Sequence, residues 1–547
     1  MSFFKKIIAA LTNKERIFFF IAAGTAAASI VVLSGIAVSK GTAAVPAPGG
    51  DYIEGVVGQP EYVNPVTAAS ETDRDLVKMI YSNLSDLADK IEVSTDTKTW
   101  TIRLKENLRW QDGKQLTSDD VIFTVQEIQN KDADSPLFEN WAGIAASRAS
   151  ELELRFSLAK PYAFFGDNLK NLYILPKHLY ADIPPGNWRL SDYNLKPIGS
   201  GPYAFVSYEK RPDGFIAAYH LKAWDDYFGT KPLIENFDFQ FSNDKNSLIK
   251  SFNSAQIDGF GGALPEDLAG IGRPYDLFVF RTPSYYAVFL NQSKNPALAD
   301  SAVREALSSA IDRNNLVKVA LGGFGKPDNG PIPPDATYGI QTAATSSPDF
   351  AATLLDDAGW KIGDNGLRSK TIQKSSVPLA ITVTVPQINF LAKTADIIKN
   401  AWQNIGVQVT VVSDSPDDIA STAIPNRTYD ALLFGNILGP SSDLYSFWDS
   451  SEDLSPGLNL AMYDNAKADS ILESIRENPD SASRTTQFAN VQNIIANDNP
   501  AVFLYSPDYL YVTNKSIRGI ATSILPDPSD RFRDVGAWYI NTTRVLK

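Results

Sequence analysis

The chain has 547 residues, 44% hydrophobic and 21% charged, with 50 Lys and Arg against 63 Asp and Glu for a formal net charge of −13. That length fits several domains or one large lobed protein, and the acidic balance leaves no cationic face for a nucleic-acid backbone. No cysteine, two histidines (His178 and His220) and three methionines exclude disulfides, thiol catalysis, thiolate zinc sites and a lipid-modified cysteine, and leave little material for a transition-metal centre.

The first predicted element is a membrane span. Residues 17–38 are 22 in a row without a charge, and at about 1.5 Å per residue they cross a hydrocarbon core of roughly 30 Å. Lys5, Lys6, Lys14 and Arg16 precede the run and only Lys40 follows it, which keeps residues 1–16 cytoplasmic and everything after the run outside. A cleaved signal peptide is the competing reading, because residues 37–39 make a small-x-small site, but the run exceeds the usual length of a signal core. Residues 39–50, small, uncharged and rich in Pro and Gly after Lys40, read as a flexible tether.

From residue 51 onward helical and strand patterns alternate without a repeat. Residues 99–104 alternate as a half-buried strand does. Asp112-Gly113 makes a turn, and Thr117 caps a helix over 118–129 with Asp119 and Asp120 in its first turn. A second helix follows Asp300, with Val303, Leu307, Ala310 and Ile311 on one face, and a third spans 393–403, stopping at Gly406 before a strand over 407–412. Residues 239–241, 285–290 and 502–505 read as further strands. The class is mixed α/β.

Catalytic patterns fail one by one. Asp119 and Asp120 point about 100° apart on a helix and serve its dipole. His178 follows a proline stop and reads as a cap or core hydrogen-bonder, and His220 has no carboxylate at metal-ligand spacing in the sequence. Residues 322–325 are glycine-rich without the Lys-Ser/Thr that a phosphate loop needs. Gly199-Ser200-Gly201-Pro202 is turn chemistry rather than a nucleophile elbow. Nine Trp and 22 Tyr are the remaining asset, suited to lining a ligand cleft.

Whole segments then resemble one family. Trp110-Gln111-Asp112-Gly113, followed by Leu116-Thr117-Ser118-Asp119-Asp120-Val121, is similar to the first signature of the extracytoplasmic solute-binding proteins of ABC transporters, in the oligopeptide/dipeptide/nickel-binding family. Ile198-Gly199-Ser200-Gly201-Pro202-Tyr203, the run from Asp300 through Val303-Arg304 to Asp312-Arg313, Ile332-Pro333-Pro334, Leu354 to Trp360 and Phe447-Trp448-Asp449-Ser450 resemble the family's later segments in the same order. The resemblance covers about residues 52–520. It implies a two-lobed periplasmic-binding-protein-like α/β fold with two hinge crossings, near 282–288 and 501–506, preceded here by one transmembrane helix. One lobe is expected over 51–281, with an inserted subdomain at about 84–194, completed by 502–547. The other is expected over 282–501.

The resemblance also implies a binding protein rather than an enzyme, a monomer without cofactor or metal. It would hold a peptide-like solute between its lobes and present it to ABC permease subunits, with no nucleic-acid partner. Where peptide binders of the family often carry an aromatic and an amine-pairing aspartate, this chain reads Gly435-Asn436-Ile437-Leu438-Gly439, with Asp443 later. Tyr285, Tyr286, Gly435, Asn436, Gly439, Asp443 and Trp448 are the candidate ligand contacts. Glycine at 439 removes the usual charge partner of a peptide amine, which opens the alternatives of a glycan, a metal chelate or another small solute, or of a surface protein no longer coupled to transport. A cell-wall hydrolase would need two carboxylates facing a cleft, and no pair is singled out.

Overall fold

The computed structural model of the protein describes residues 12–340, 346–372, 374–521 and 523–547. Its centre is one sheet organised around the 14-residue strand Ala501–Asn514. The first part of that strand pairs antiparallel with Ser284–Leu290, which continues the sheet through Ala431–Ile437, Ala380–Pro386 and Gln408–Asp414. Its last part pairs with Tyr275–Arg281 and with Gly259–Ala263, which leads to Asp51–Val57, Asn236–Ser242, Ile216–Ala223 and Tyr203–Lys210.

The long strand changes partner at Ser506-Pro507-Asp508, and the chain opposite it passes from one strand to the next through Arg281-Thr282-Pro283-Ser284. Both crossings contain a proline, which has no N–H to give a ladder. Side chains tie the two together instead. The Thr282 hydroxyl donates to the Pro507 carbonyl at 2.7 Å, and Ser506 Oγ donates to the Thr282 carbonyl at 3.2 Å.

Alternation along the strands divides the core. On Ser284–Leu290, Val288 and Leu290 enter a cluster with Trp402, Leu433 and Leu504, whereas Tyr285, Ala287 and Phe289 enter another with Trp448, Leu432 and Phe503. Both faces are covered, so every residue from 284 to 290 but Tyr286 is buried. In the other half, Tyr52, Phe237, Phe239 and Tyr511 face a cluster shared with the inserted segment, and Phe252, Phe260, Leu510 and Val512 face a smaller one. The inserted segment has its own sheet, Ala88–Val93, Thr99–Leu104, Glu153–Ser157 and Ala145–Ser150 in sequence order 1-2-4-3.

The Thr117 cap expected from the sequence forms, and the helix expected after Asp300 is there. Thr117 N–H donates to Asp120 Oδ2 at 2.9 Å and Thr117 Oγ1 accepts from Asp119 N–H at 3.3 Å, opening the helix Ser118–Ile128. Asp300 caps Ser301–Ser309 and accepts from Ala302 N–H at 3.1 Å. His178 Nε2 meets Asp112 Oδ2 at 2.7 Å, a structural contact beside Trp110. His220 differs from its sequence reading: strand pairing brings Asp238 to 3.0 Å of Nδ1 and Glu209 to 3.6 Å of Nε2, neighbours that local spacing does not reveal. Among the described residues no group of His, Asp or Glu forms a metal-holding cluster.

At the N-terminus the helix Asn13–Gly41 contains residues 17–38 whole, and Ile17, Phe18, Ile30, Val31 and Leu33 on it are exposed. The segment expected to be a flexible tether departs from that reading. Thr42–Ala47 is a strand, paired in a two-stranded ribbon with Asn541–Leu546. Small residues with no core to join still carry backbone donors and acceptors, and a partner strand satisfies them.

Candidate ligand-binding site

A cavity of about 290 Å³ lies where four parts of the chain converge. The helix Glu71–Ile80 contributes Arg74, Val77 and Lys78, the inserted segment Leu137, Asn140, Asn171 and Tyr173, the strand end Ile437 to Pro440, and the turn near the C-terminal side Pro526, Asp527 and Asp530. Arg74 and Lys78 share a helix face because they are four residues apart. The helix is held by Ser70, whose hydroxyl accepts from Asp73 N–H at 3.0 Å. The acidic wall comes from a second capped turn, where Asp527 accepts from Ser529 N–H at 2.9 Å and its own N–H donates to Asp530 Oδ2 at 3.1 Å.

The two walls are charge-paired. Arg74 Nε lies 3.0 Å from Asp527, and Lys78 pairs with Asp530, both side chains of the second pair largely buried. Burial works against the Asp527 carboxylate, but Lys78 and Arg74 hold its pKa below the ordinary value. Opposite stands Gly439, where nothing lies within 4 Å of a Cβ built on the backbone, and Ile437, which is 66% exposed. The cavity therefore offers one main-chain and apolar wall against one wall of two cations and two anions. Such a lining suits a small ligand with both an amine and a carboxylate.

The acidic turn is fixed from behind. Arg531, in the same turn, forms a bidentate pair with Asp75 at 2.9 and 2.6 Å and reaches Glu54 at 3.2 Å, all three side chains 2% exposed or less. Glu54 also accepts from Tyr511 at 2.7 Å and Tyr52 at 3.2 Å. One guanidinium faces two carboxyls, and burial pushes Asp75 up to about 7 and Glu54 above its ordinary value despite Arg531.

Of the seven residues singled out in the sequence, Gly439 lines this cavity. Tyr285, Asn436 and Trp448 meet one another, but inside the second half of the molecule: the Tyr285 hydroxyl accepts from Asn436 Nδ2 at 2.8 Å and Trp448 Nε1 at 3.2 Å, with none of the three more than 4% exposed. They support the strand from behind rather than forming the cavity wall. Gly435 is required by Tyr286, whose ring would stand 2.8 Å from a Cβ there. The residues that sequence reading missed are Arg74, Lys78, Asp527 and Asp530. The i, i+4 cations and the Asp-Pro-Ser-Asp turn were the available signals.

Asp443 has a different place. Its Oδ2 lies 3.1 Å from Arg476 Nε and accepts from the Tyr162 hydroxyl at 3.4 Å, while the Arg476 guanidinium sits over the Tyr162 and Tyr445 rings at 5.2 and 4.4 Å. Ala163 N–H donates to the Arg476 carbonyl at 2.6 Å, and Phe164, from the inserted segment, is buried against Phe488. These contacts clasp the inserted segment to the second half, beside a groove of about 700 Å³ that shares Asn140 with the cavity. Arg476→Ala is expected to lose ~1–2 kcal/mol for this partly buried pair and to enlarge the ligand-free radius of gyration in small-angle scattering. An unchanged radius would show that other contacts hold the halves together.

Comparison with known proteins agrees with this architecture. Residues 84–455 match the family model described as bacterial extracellular solute-binding proteins, family 5 Middle. The chain is 26% identical over 505 residues to the oligopeptide-binding protein AppA of Bacillus subtilis, covering 88% of this chain and 90% of that one. The solved ABC transporter substrate binding protein CtaP of Listeria monocytogenes superposes with a TM-score of 0.78 at 24% identity over 90% of this chain and 99% of that one. NikZ of Campylobacter jejuni, solved in complex with Ni(L-His), does so with a TM-score of 0.72 at 23% identity over 89% and 99%. The chain belongs to the bacterial extracellular solute-binding proteins of family 5, and it is a binding protein rather than an enzyme.

Proposed function

We propose that this chain is a membrane-tethered receptor that encloses a short peptide-like solute between two lobes and presents it to the permease of an ABC importer. The observation that carries the reading is the cavity where residues 74–78, 437–440 and 526–530 meet, lined by main chain on one side and by paired charges on the other. Glycine at 439 offers no carboxylate to a peptide amine, but Asp527 and Asp530 bring two to the same space and Arg74 and Lys78 bring the complement for a carboxylate. At about 290 Å³ the cavity is at the small end of ligand sites, which favours a ligand of two or three residues over a long peptide. The same volume and charge suit a compact amino-acid chelate, the second reading. The lobes are residues 51–281 with 502–547, and residues 282–501. The hinge is the pair of proline-containing crossings at Pro283 and Pro507, so that a ligand stabilises the closed state by its contacts to both sides.

The exposed apolar helix Asn13–Gly41 supports an uncleaved single-pass anchor with the lobes extracytoplasmic. An N-terminal sequence of the mature protein that starts after Ser39 overturns the anchor. The ligand reading is tested by native purification from membranes, denaturation and mass spectrometry of what is released. A family of short peptides is expected. A single chelate replaces the first reading with the second, and a sugar, or an empty protein that binds neither peptide nor chelate in calorimetry, removes both.

A further inference from the structure

The ribbon beside the helix is placed to touch the membrane. Thr42–Ala47 and Asn541–Leu546 pair in register from Thr42 opposite Leu546 to Ala47 opposite Asn541. The pairing starts where the helix stops: Lys547 N–H donates to the Gly41 carbonyl at 3.0 Å, and Arg544 Nε donates to the Thr42 hydroxyl at 2.8 Å. At the far end both strands are rooted in the first lobe. Gly49 N–H donates to the Leu233 carbonyl at 2.8 Å, the Gly50 carbonyl accepts from Glu235 N–H at 3.1 Å, and Trp538 is 1% exposed in the core. Backbone hydrogen bonds thus run from the helix to the body of the protein, and residues 545–547 are held beside the helix end.

The chemistry of that end is opposite to the rest of the surface. Lys40, Arg544 and Lys547 collect there, and neither residues 38–50 nor 540–547 contain an Asp or Glu, in a chain of net charge −13. Val545 is 43% and Leu546 85% exposed. The apolar run ends at residue 38, so Thr42 and its partner Leu546 stand about 6 Å beyond it by helical rise, inside the headgroup layer. A two-stranded ribbon with both faces in water is marginal by itself, and its one apolar, cationic end lies at that depth.

We propose that the membrane-proximal end of this ribbon docks on the outer leaflet, with Val545 and Leu546 entering the interfacial layer and Lys40, Arg544 and Lys547 facing anionic lipid headgroups. The proposal rests on the reading of Asn13–Gly41 as a retained anchor. Its consequence is orientation: span and ribbon together fix how the lobes stand on the membrane instead of letting them swing on a leash.

Because the chain has no cysteine, single labels are unique. Full-length L546C, F20C and L190C carry a polarity-sensitive fluorophore in vesicles of phosphatidylcholine alone or mixed with phosphatidylglycerol, with and without brominated acyl chains. Leu190 is exposed on the inserted segment and serves as the aqueous reference. F20C and L546C are expected to be quenched by brominated lipid and L190C by aqueous iodide. Phosphatidylglycerol should raise the docked-to-free ratio at L546C by roughly 30- to 150-fold, as two or three surface cations do, and adding R544E and K547E should remove that gain. Quenching of F20C with a water-like L546C in both lipids overturns the docking and leaves the anchor standing. An unquenched F20C overturns both. An L546C label exposed in pure lipid but shielded in native membranes assigns the ribbon end to a protein neighbour and overturns the lipid proposal.

Discussion

Arg531→Met is expected to cost about 3–5 kcal/mol of stability at pH 7.5, because it leaves Glu54 and Asp75 as buried carboxyls with no cation. The guanidinium is held by both at 2.6–3.2 Å, and among the described residues no other Lys or Arg pairs with either. The sign of the pH dependence follows from burial. With folded-state pKa values raised above the unfolded ones, the folded variant binds more protons than the unfolded chain between about pH 4 and those raised values. Its stability therefore falls as pH rises through that window, by up to about 1.4 kcal/mol per unit for each carboxyl. Urea unfolding at pH 5 and 7.5 checks this: the deficit against wild type should be clearly smaller at pH 5. An equal deficit at both values would mean that water reaches the two carboxyls once Arg531 is gone. Arg531→Lys should fall between, since it restores the charge without the two-pronged geometry. The turn Pro528–Phe532 also carries Asp530 to the cavity, so ligand affinity should weaken along with stability.

Gly439→Trp is expected to raise the dissociation constant of any ligand of the cavity by at least about 100-fold, since an indole cannot share the space with a ligand of similar size. The effect on folding should stay within about 0.5 kcal/mol, because the side chain projects into open space. Gly439→Ala should be near neutral in both respects. Isothermal calorimetry with a di- and tripeptide mixture, alongside thermal unfolding, separates the two quantities. Unchanged binding by a stable Gly439→Trp protein would move the ligand away from the Ile437–Pro440 wall, most directly into the groove beside Tyr162 and Glu473.

These two sites show how unevenly the molecule can be read in advance. Helix starts at Thr117 and Asp300 were legible because a cap is a contact between residues two or three apart. The strand Ser284–Leu290 was legible as a strand, but not the side of it that matters. Both its faces are covered, so alternation sends Tyr285 and Val288 into two different cores without marking either as a cleft wall. Aromatic side chains at 285 and 448 were attractive ligand contacts for the same reason that they are good core residues: large area and one polar atom, here spent on each other. The Thr42–Ala47 strand was invisible because its partner lies some 500 positions away, and nothing in a run of small residues foretells a ladder.

By itself the amino-acid sequence determined the membrane-length helix, the α/β class and the family, because each depends on composition, periodicity or short ordered motifs within a few turns of chain. Tertiary structure alone decided which residues surround the cavity. Arg74, Lys78, Gly439, Asp527 and Asp530 come from three segments about 90 to 450 residues apart, and their meeting is set by how the long strand Ala501–Asn514 joins the two halves. A binding site of this kind is a property of non-local packing, where a charge acquires meaning only from the partner that folding places within 3 Å of it.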